Sequence, residues 1–380
     1  MSFPGWPGPD RHTKTYPAPP YLRSTESPSA VSPSPDTHQV VRRRLLAALA
    51  CLPLARGWSE ARAAEAAIHM LVGYGAGGGA DHIARLLADS LTGDGALTLV
   101  ENRPGAAGQI ALNEAVRAGP QRQTLLLGTV GSVSISPLLP AVNAVNAVNA
   151  INAESGEGER GQAGLQPIAV VASTPHVLLI GGDGTRIGDT EARAALRARL
   201  EQARQRPGEL AYASLGIHSS AHLVGELMCH EAGVTMTHIP YPGSARALID
   251  LQGGHVAMLV STLQASLPLM RQGRVRALAV TGRARSPLAP ATPTFAEAGI
   301  GGMSQAAWYG VLAAPSVTGA QCTALSRRFQ RLLHDVALQR RLGQDGAEPL
   351  GLTGARAVEY LDRQREVWRQ AVALVSHRIA

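Results

Sequence analysis

Gly73-Tyr74-Gly75-Ala76-Gly77-Gly78-Gly79-Ala80-Asp81-His82-Ile83-Ala84-Arg85 decides how the rest of this chain reads. The apolar run Ile68–Val72 before it predicts a strand. A helix begins at once after the glycines, because Ile83, Leu86, Leu87 and Leu91 recur on one helical face. Three consecutive glycines reach backbone angles closed to other residues and let a ligand approach the main chain. The unpaired amides of the first helical turn, with the helix dipole, favour an anion. The loop therefore reads as a site for a carboxylate, sulfate or phosphate or, with no ligand, as a tight turn.

Two other glycine motifs do not fit. The phosphate-cradling loop of nucleotide hydrolases needs Gly-Lys-Ser/Thr after its spacer, and Lys14 is the only lysine in the chain. The dinucleotide fingerprint would need Glu101 as its ribose-binding acid, in the wrong context.

Residues 1–40 are rich in Pro, Ser, Thr and Gly and predict a disordered extension. Residues 41–63 carry Arg42-Arg43-Arg44, then the apolar run Leu45–Leu54, then Ala61-Arg62-Ala63. That order is a signal peptide, cleaved after Ala63, with a core too short to span a bilayer. Such a leader belongs at the start of a chain, so translation is expected to begin near Val40 or Val41, leaving 1–40 untranslated. Cys51 offers a rival reading as an acylated lipoprotein cysteine, but Ala48-Leu49-Ala50 lacks leucine three positions before it.

The formal net charge is +7. Residues 1–63 hold eight Arg/Lys and four Asp/Glu, so +4 leaves with the leader and +3 remains. No basic stripe carries interleaved aromatics, which argues against nucleic acid. Cys229 and Cys322 read either as one disulfide or as two buried thiols. No cysteine and histidine spacing predicts a zinc site. His218 and His222, four apart, suit a metal on a helix face, but no second ligand pair frames them.

Further strands are predicted at 97–100, 124–127, 168–171, 177–180, 210–213, 238–239, 256–260 and 276–280, with helices between. One helix carries Leu223, Leu227 and Glu231, and a last one Val358, Leu361, Trp368, Val372 and Val375. This alternation predicts an α/β fold with largely parallel sheets and ligands at the carboxyl ends of strands. Residues 141–164 are a low-complexity insertion. It opens with Ala-Val-Asn three times and Ala-Ile-Asn once, a period that fits neither helix nor strand.

Several blocks, in this order and spacing, carry a resemblance to a known family. They are the glycine loop through Arg85, Val100 to Gly108, Tyr212 to Leu223 and His238-Ile239-Pro240-Tyr241, followed by Arg276 to Thr281, Pro293 to Gly299 and Trp308-Tyr309-Gly310. From about Ile68 to the C-terminus, interrupted near 140–166, the chain resembles the periplasmic receptors of tripartite tricarboxylate transporters, the Bug receptors. The resemblance implies a two-lobe flytrap with a hinge, lobe 1 spanning 64–173 plus 288–380 and lobe 2 spanning 174–287. It implies a monomer that captures a small organic carboxylate in the periplasm and delivers it to membrane permease subunits, with no cofactor, metal or catalytic group.

In that family one loop from each lobe grips a carboxylate. The first maps onto Tyr74 through Asp81, with Gly77, Gly78 and Gly79 as amide donors. The second maps onto Ser214 through His222, including His218, Ser219, Ser220 and His222. Ser214, Ser219 and Ser220 offer hydroxyl donors, Ser219 also as a helix cap. Thr129 and Ser132 are secondary candidates at the cleft rim. Asp81 reads equally as a helix cap, Tyr74 and Trp308 as packing aromatics, and Glu101-Asn102-Arg103 as a turn brace. Leu215 and His218 stand where the family commonly has serine and glycine, which bears on ligand identity. Two other functions stay open: a carboxylate sensor for a membrane signalling partner, and a hydrolase using Ser219 with His222 three residues on. The hydrolase lacks a Gly-x-Ser-x-Gly elbow.

Overall fold

A computed structural model describes residues 67–139 and 164–379 of the chain. The predicted leader, Cys51 and the triplet repeat lie outside the described residues. The elements follow in chain order. First come β1 (Ile68–Val72), α1 (Gly79–Gly93), β2 (Thr98–Asn102), α2 (Gln109–Val116) and β3 (Gln123–Thr129). A π-helical turn, Val130–Ile135, follows. Next are β4 (Gln166–Gly181), α3 (Asp189–Gln205), β5 (Ala211–Ser214), α4 (Ser220–Ala232) and β6 (Thr237–Pro240). Then come α5 (Ser244–Gln252), β7 (Met258–Thr262), α6 (Leu263–Arg271) and β8 (Val275–Val280). The chain closes with β9 (Ala306–Ala313), α7 (Gly319–Leu333), α8 (Val336–Gln344), β10 (Glu348–Thr353) and α9 (Ala355–Ile379).

The strands form two sheets that share β4. The first runs β2-β1-β3-β9-β4, with β10 also on β4. The second runs β4-β7-β5-β6, with β8 also on β4. The pairs β1–β2, β1–β3, β5–β6 and β5–β7 are parallel. Every pair made by β4 and β9 is antiparallel, so the sheets are mixed rather than largely parallel. The two strands expected at 168–171 and 177–180 are one continuous β4 of 16 residues. β9 and β10 were not anticipated as strands.

β4 changes partners at one point. Residues Gln166 to Pro175 pair with β9, and His176 to Leu179 pair with β7. Beside that point the chain crosses back. The His176 amide donates to Thr281 Oγ1 at 2.9 Å, and the Thr281 amide donates to the His176 carbonyl at 2.9 Å.

Burial follows the strand period. Ile68, Met70 and Val72 enter one core with Ile83, Leu87 and Phe329, while Leu71, on the other face, joins a second core with Trp308, Trp368 and Phe295. Both faces of this sheet are therefore covered, as parallel strands require. A third cluster, with Val177, Leu179, Leu259 and Ala277, fills the second sheet. Cys229 and Cys322 are buried free thiols on α4 and α7, so they form no disulfide.

Helix α9 carries Leu361, Trp368, Val372 and Val375 on its buried face, while Val358 is exposed. Its last turn is fastened to α4 by a buried polar group. Glu226 accepts from Arg378 Nε at 2.6 Å and from the Tyr212 hydroxyl at 2.6 Å. Removing one partner of a buried charge leaves the other desolvated, at about 3 kcal/mol or more. Arg378→Met should therefore destabilise the protein by about 3 kcal/mol, the low end of that range because Tyr212 still donates. Urea unfolding of the two proteins measures the difference, and a loss under half of that would remove Arg378 as the fastening of α9.

Candidate functional site

The chain leaves β1 at Val72 and turns through Gly73, where an ideal Cβ would lie 2.3 Å from Gly108 Cα. Only glycine permits that approach. Gly77 adopts φ +77°, and Gly78 caps α1 without a side-chain bond. The Gly77 amide donates to Asp81 Oδ2 at 2.9 Å, and the Gly79 amide to Ser244 Oγ at 3.3 Å. The amides of Gly78 and Ala80 have no acceptor among the described residues.

Asp81 braces this loop from behind. Its Oδ2 also accepts from Arg85 Nε at 2.9 Å, and its Oδ1 from Asn102 Nδ2 at 3.0 Å. Burial pushes this carboxyl up, but Arg85, the Gly77 amide and Asn102 together hold it below its ordinary value. Asn102 Nδ2 also donates to the Tyr74 carbonyl at 3.0 Å. Glu101 accepts from Arg103 at 2.8 Å and lies 2.6 Å from His69 Nδ1.

The second loop joins β5 to α4. Ser219 is the N-cap of α4, and its Oγ accepts from the His222 amide at 3.2 Å. Ser214 Oγ lies 2.7 Å from His238 Nε2, whose ring stacks on His222 at 3.9 Å. His218 has φ +63°; its amide donates to His222 Nδ1 at 3.2 Å and its Nε2 lies 3.2 Å from the Ile379 carbonyl. Ser220 Oγ lies 2.9 Å from His176 Nε2. The Ser220 amide has no acceptor among the described residues.

A third loop, not anticipated, completes the arrangement. Gly75 donates to the Pro242 carbonyl at 3.2 Å, and Ser244 at the start of α5 meets Gly79. The signal was in the sequence: a strand ending at Pro240, then Gly243 and Ser244 before an apolar helix, is the same kind of helix start as the first loop.

Between the loops lies a small cavity of about 30 Å³. Tyr74, Gly78, Gly79 and Ala80 line it from the first loop, and Leu215 and Ser220 from the second. Thr129 ends β3 and Val130 follows it, Ser244 opens α5, Thr262 caps α6, and Ala307, Trp308 and Tyr309 come from β9. None of these side chains is charged at neutral pH. Of the candidates read from sequence, Tyr74, Gly78, Gly79, Thr129 and Ser220 meet here. Gly77 opens on a neighbouring cavity beside His82 and Arg271. Asp81, Ser132, Ser214, His218, Ser219 and His222 are absent from the lining. Ser132 instead bonds the Thr129 amide and closes the turn after β3. Trp308 is both core and lining. Among the described residues no group of three or more His, Cys, Asp or Glu is arranged to hold a metal ion.

The model of the tripartite tricarboxylate transporter family receptor matches residues 83–372. The chain belongs to that receptor family. It is 29% identical to the protein BugT of Bordetella pertussis over 306 residues, covering 80% of this chain and 88% of BugT. The solved periplasmic binding protein BugD is 26% identical, with a TM-score of 0.69, covering 82% of this chain and 98% of BugD. An R. palustris protein solved with adipate is 27% identical, with a TM-score of 0.67, covering 83% of this chain and 98% of that one. The two-lobe α/β fold of periplasmic binding proteins, with its hinge, is thus the fold of this receptor. No helix among its described residues is long and apolar enough to cross a membrane.

Behind the second loop the receptor buries its histidines without charge. Burial, joined by the neighbouring His238 and His218, holds His222 down to about 3, and burial holds His238 at about 4. Unfolded imidazoles titrate near 6.5, so below that pH the unfolded chain binds more protons than the folded one. Stability is therefore present above pH 6.5 and is lost as the pH falls from 6.5 towards 4. Denaturation midpoints measured from pH 7.5 to 4 should fall over this window. The double variant His222→Gln, His238→Gln should flatten the decline, and an undiminished slope in that variant would assign it to other groups.

Proposed function

We propose that this receptor captures a small carboxylate-bearing metabolite in the periplasm and delivers it to the membrane subunits of a tripartite tricarboxylate-type transporter. One observation carries the reading. The amino-terminal ends of α1 and α4 both line one cavity, through Gly79 with Ala80 and through Ser220, and the Ala80 and Ser220 amides have no acceptor among the described residues. Their dipoles and amides favour an anion without any fixed positive charge. Neutral donors keep the desolvation cost low, so release remains feasible. The adipate bound by the R. palustris relative supports the same ligand chemistry.

Lobe 1 is assigned to 64–173 plus 288–380 and lobe 2 to 174–287, with the hinge where β4 exchanges β9 for β7. Helix α9 leaves lobe 1 and rests on α4, so it belongs to both. The receptor acts as a monomer, after a signal peptide directs it across the inner membrane. It is not an enzyme. The Ser219 oxygen is occupied in capping α4, and the one carboxylate beside His222, Glu226, is 4.0 Å from Nε2 and already serves Arg378 and Tyr212. Carboxylate sensing for a signalling partner uses the same capture step and differs only in the protein that reads the closed state.

A thermal-shift titration against small carboxylates tests the reading, since a ligand of the folded state raises the melting temperature with concentration. An ideal Cβ on Gly78 would stand 3.0 Å from Ser244 Oγ, between two loops that touch. Gly78→Val should therefore abolish the shift while leaving the unliganded melting temperature within a few degrees. An undiminished shift in that variant would take the glycine loop out of the site.

A further inference from the structure

Ser220 lines the cavity and is 9% exposed, with its Oγ turned to His176 Nε2 at 2.9 Å. His176 is fully buried where β4 changes partners, and its Nδ1 lies 3.3 Å from the Gln305 carbonyl. A carbonyl only accepts, so the proton of the neutral ring sits on Nδ1. Burial holds this ring down to about 4, so at neutral pH it carries that one proton and no other. Nε2 is then a bare lone pair, and the Ser220 hydroxyl must donate to it. The Ser220 hydroxyl is consequently left with only lone pairs for the cavity.

The lining has two further properties. Gly78, Ala80 and Ser220 line the cavity with amides that have no acceptor among the described residues, donors suited to a carboxylate. Elsewhere the cavity is lined by uncharged groups, hydroxyls such as those of Thr129, Thr262 and Tyr309 beside the apolar Leu215, Val130 and Trp308. A second carboxylate or an ammonium group there would lose water with no countercharge, which costs more than a neutral hydroxyl does.

We propose that His176 is a positioning residue that fixes Ser220 as a hydrogen-bond acceptor towards the cavity, selecting monocarboxylates that also carry a hydroxyl group. This rests on the receptor reading above and names its substrate class.

Calorimetric titration of the mature protein with matched pairs tests it: mandelate against phenylacetate, 3-hydroxybutyrate against butyrate, and adipate as the dicarboxylate. A buried acceptor left unpaired costs enough that the hydroxyl-bearing member should bind about tenfold tighter. Ser220→Ala should bring that ratio near one. His176→Leu, which frees the Ser220 proton to point either way, should shrink the ratio too. A purely structural role for His176 would weaken both members of a pair and leave the ratio intact. Ser220→Ala keeps the test decisive if His176→Leu does not fold. A ratio near one in the wild type, a ratio unchanged by Ser220→Ala, or tighter binding of adipate would each overturn the assignment while keeping the receptor. No binding of any carboxylate by the folded protein would overturn the receptor reading itself, and this one with it.

Discussion

The reciprocal hydrogen bonds between His176 and Thr281, one of them to the Thr281 hydroxyl, tie together the two places where the chain passes from one sheet to the other. β4 is a single strand through its crossing, so the sheets share one continuous ladder partner rather than a loose linker. Closure of such a molecule is absorbed by a few dihedrals at the crossing. The side chain of the residue at that crossing also reaches Ser220 on the cavity wall. Bending at β4 and the polarity of the wall therefore involve the same residue.

The cavity handles charge by indirect means. The nearest acid to the glycine loop, Asp81, would repel an anion if left bare, but Arg85 and Asn102 neutralise and orient it. What faces the cavity is then main-chain dipole rather than ionic charge. That choice explains the glycines. An ideal Cβ on Gly79 would lie 2.3 Å from Gln264 Oε1 and 2.9 Å from the Tyr309 hydroxyl, so a side chain there would displace both groups from their places beside the loop. Backbone recognition requires the backbone to be reachable from both sides, and only glycine allows it.

The first strand, the glycine loop and α1 were legible because periodicity and turn chemistry are local. β4 was read as two strands because Pro175 interrupts its pattern; proline lacks an amide for a ladder, yet here it sits where the strand exchanges partners. β9 escaped notice because its run Ala-Ala-Trp-Tyr-Gly-Val-Leu-Ala is buried on both faces and shows no alternation. Antiparallel pairing to β3 and β4 is a property of topology, which no local pattern encodes. In the site, the loops and the convergence of Gly78, Thr129 and Ser220 could be anticipated, whereas the partners of the serines could not. Ser214 meets His238 and Ser220 meets His176, 24 and 44 residues away, and those contacts decide which hydroxyls remain available.

The two departures in the second loop act on different parts of the molecule. His218 occupies a left-handed backbone position with φ +63°, which accounts for the glycine usual in the family. A side chain there costs about 1–2 kcal/mol. Two contacts offset it: the amide bond to His222 Nδ1 and the ring's approach to the Ile379 carbonyl at the end of α9. His218 thereby meets the end of the C-terminal helix and is absent from the cavity lining, so its bulk acts on the seating of α9. Leu215 does line the cavity. Where serine would offer a hydroxyl, leucine offers apolar surface, which favours a ligand with an uncharged body beyond its carboxylate. On the proposed reading, ligand choice turns on Leu215 and on the polarity of Ser220, one placing apolar surface on the wall and the other fixing a hydroxyl as an acceptor.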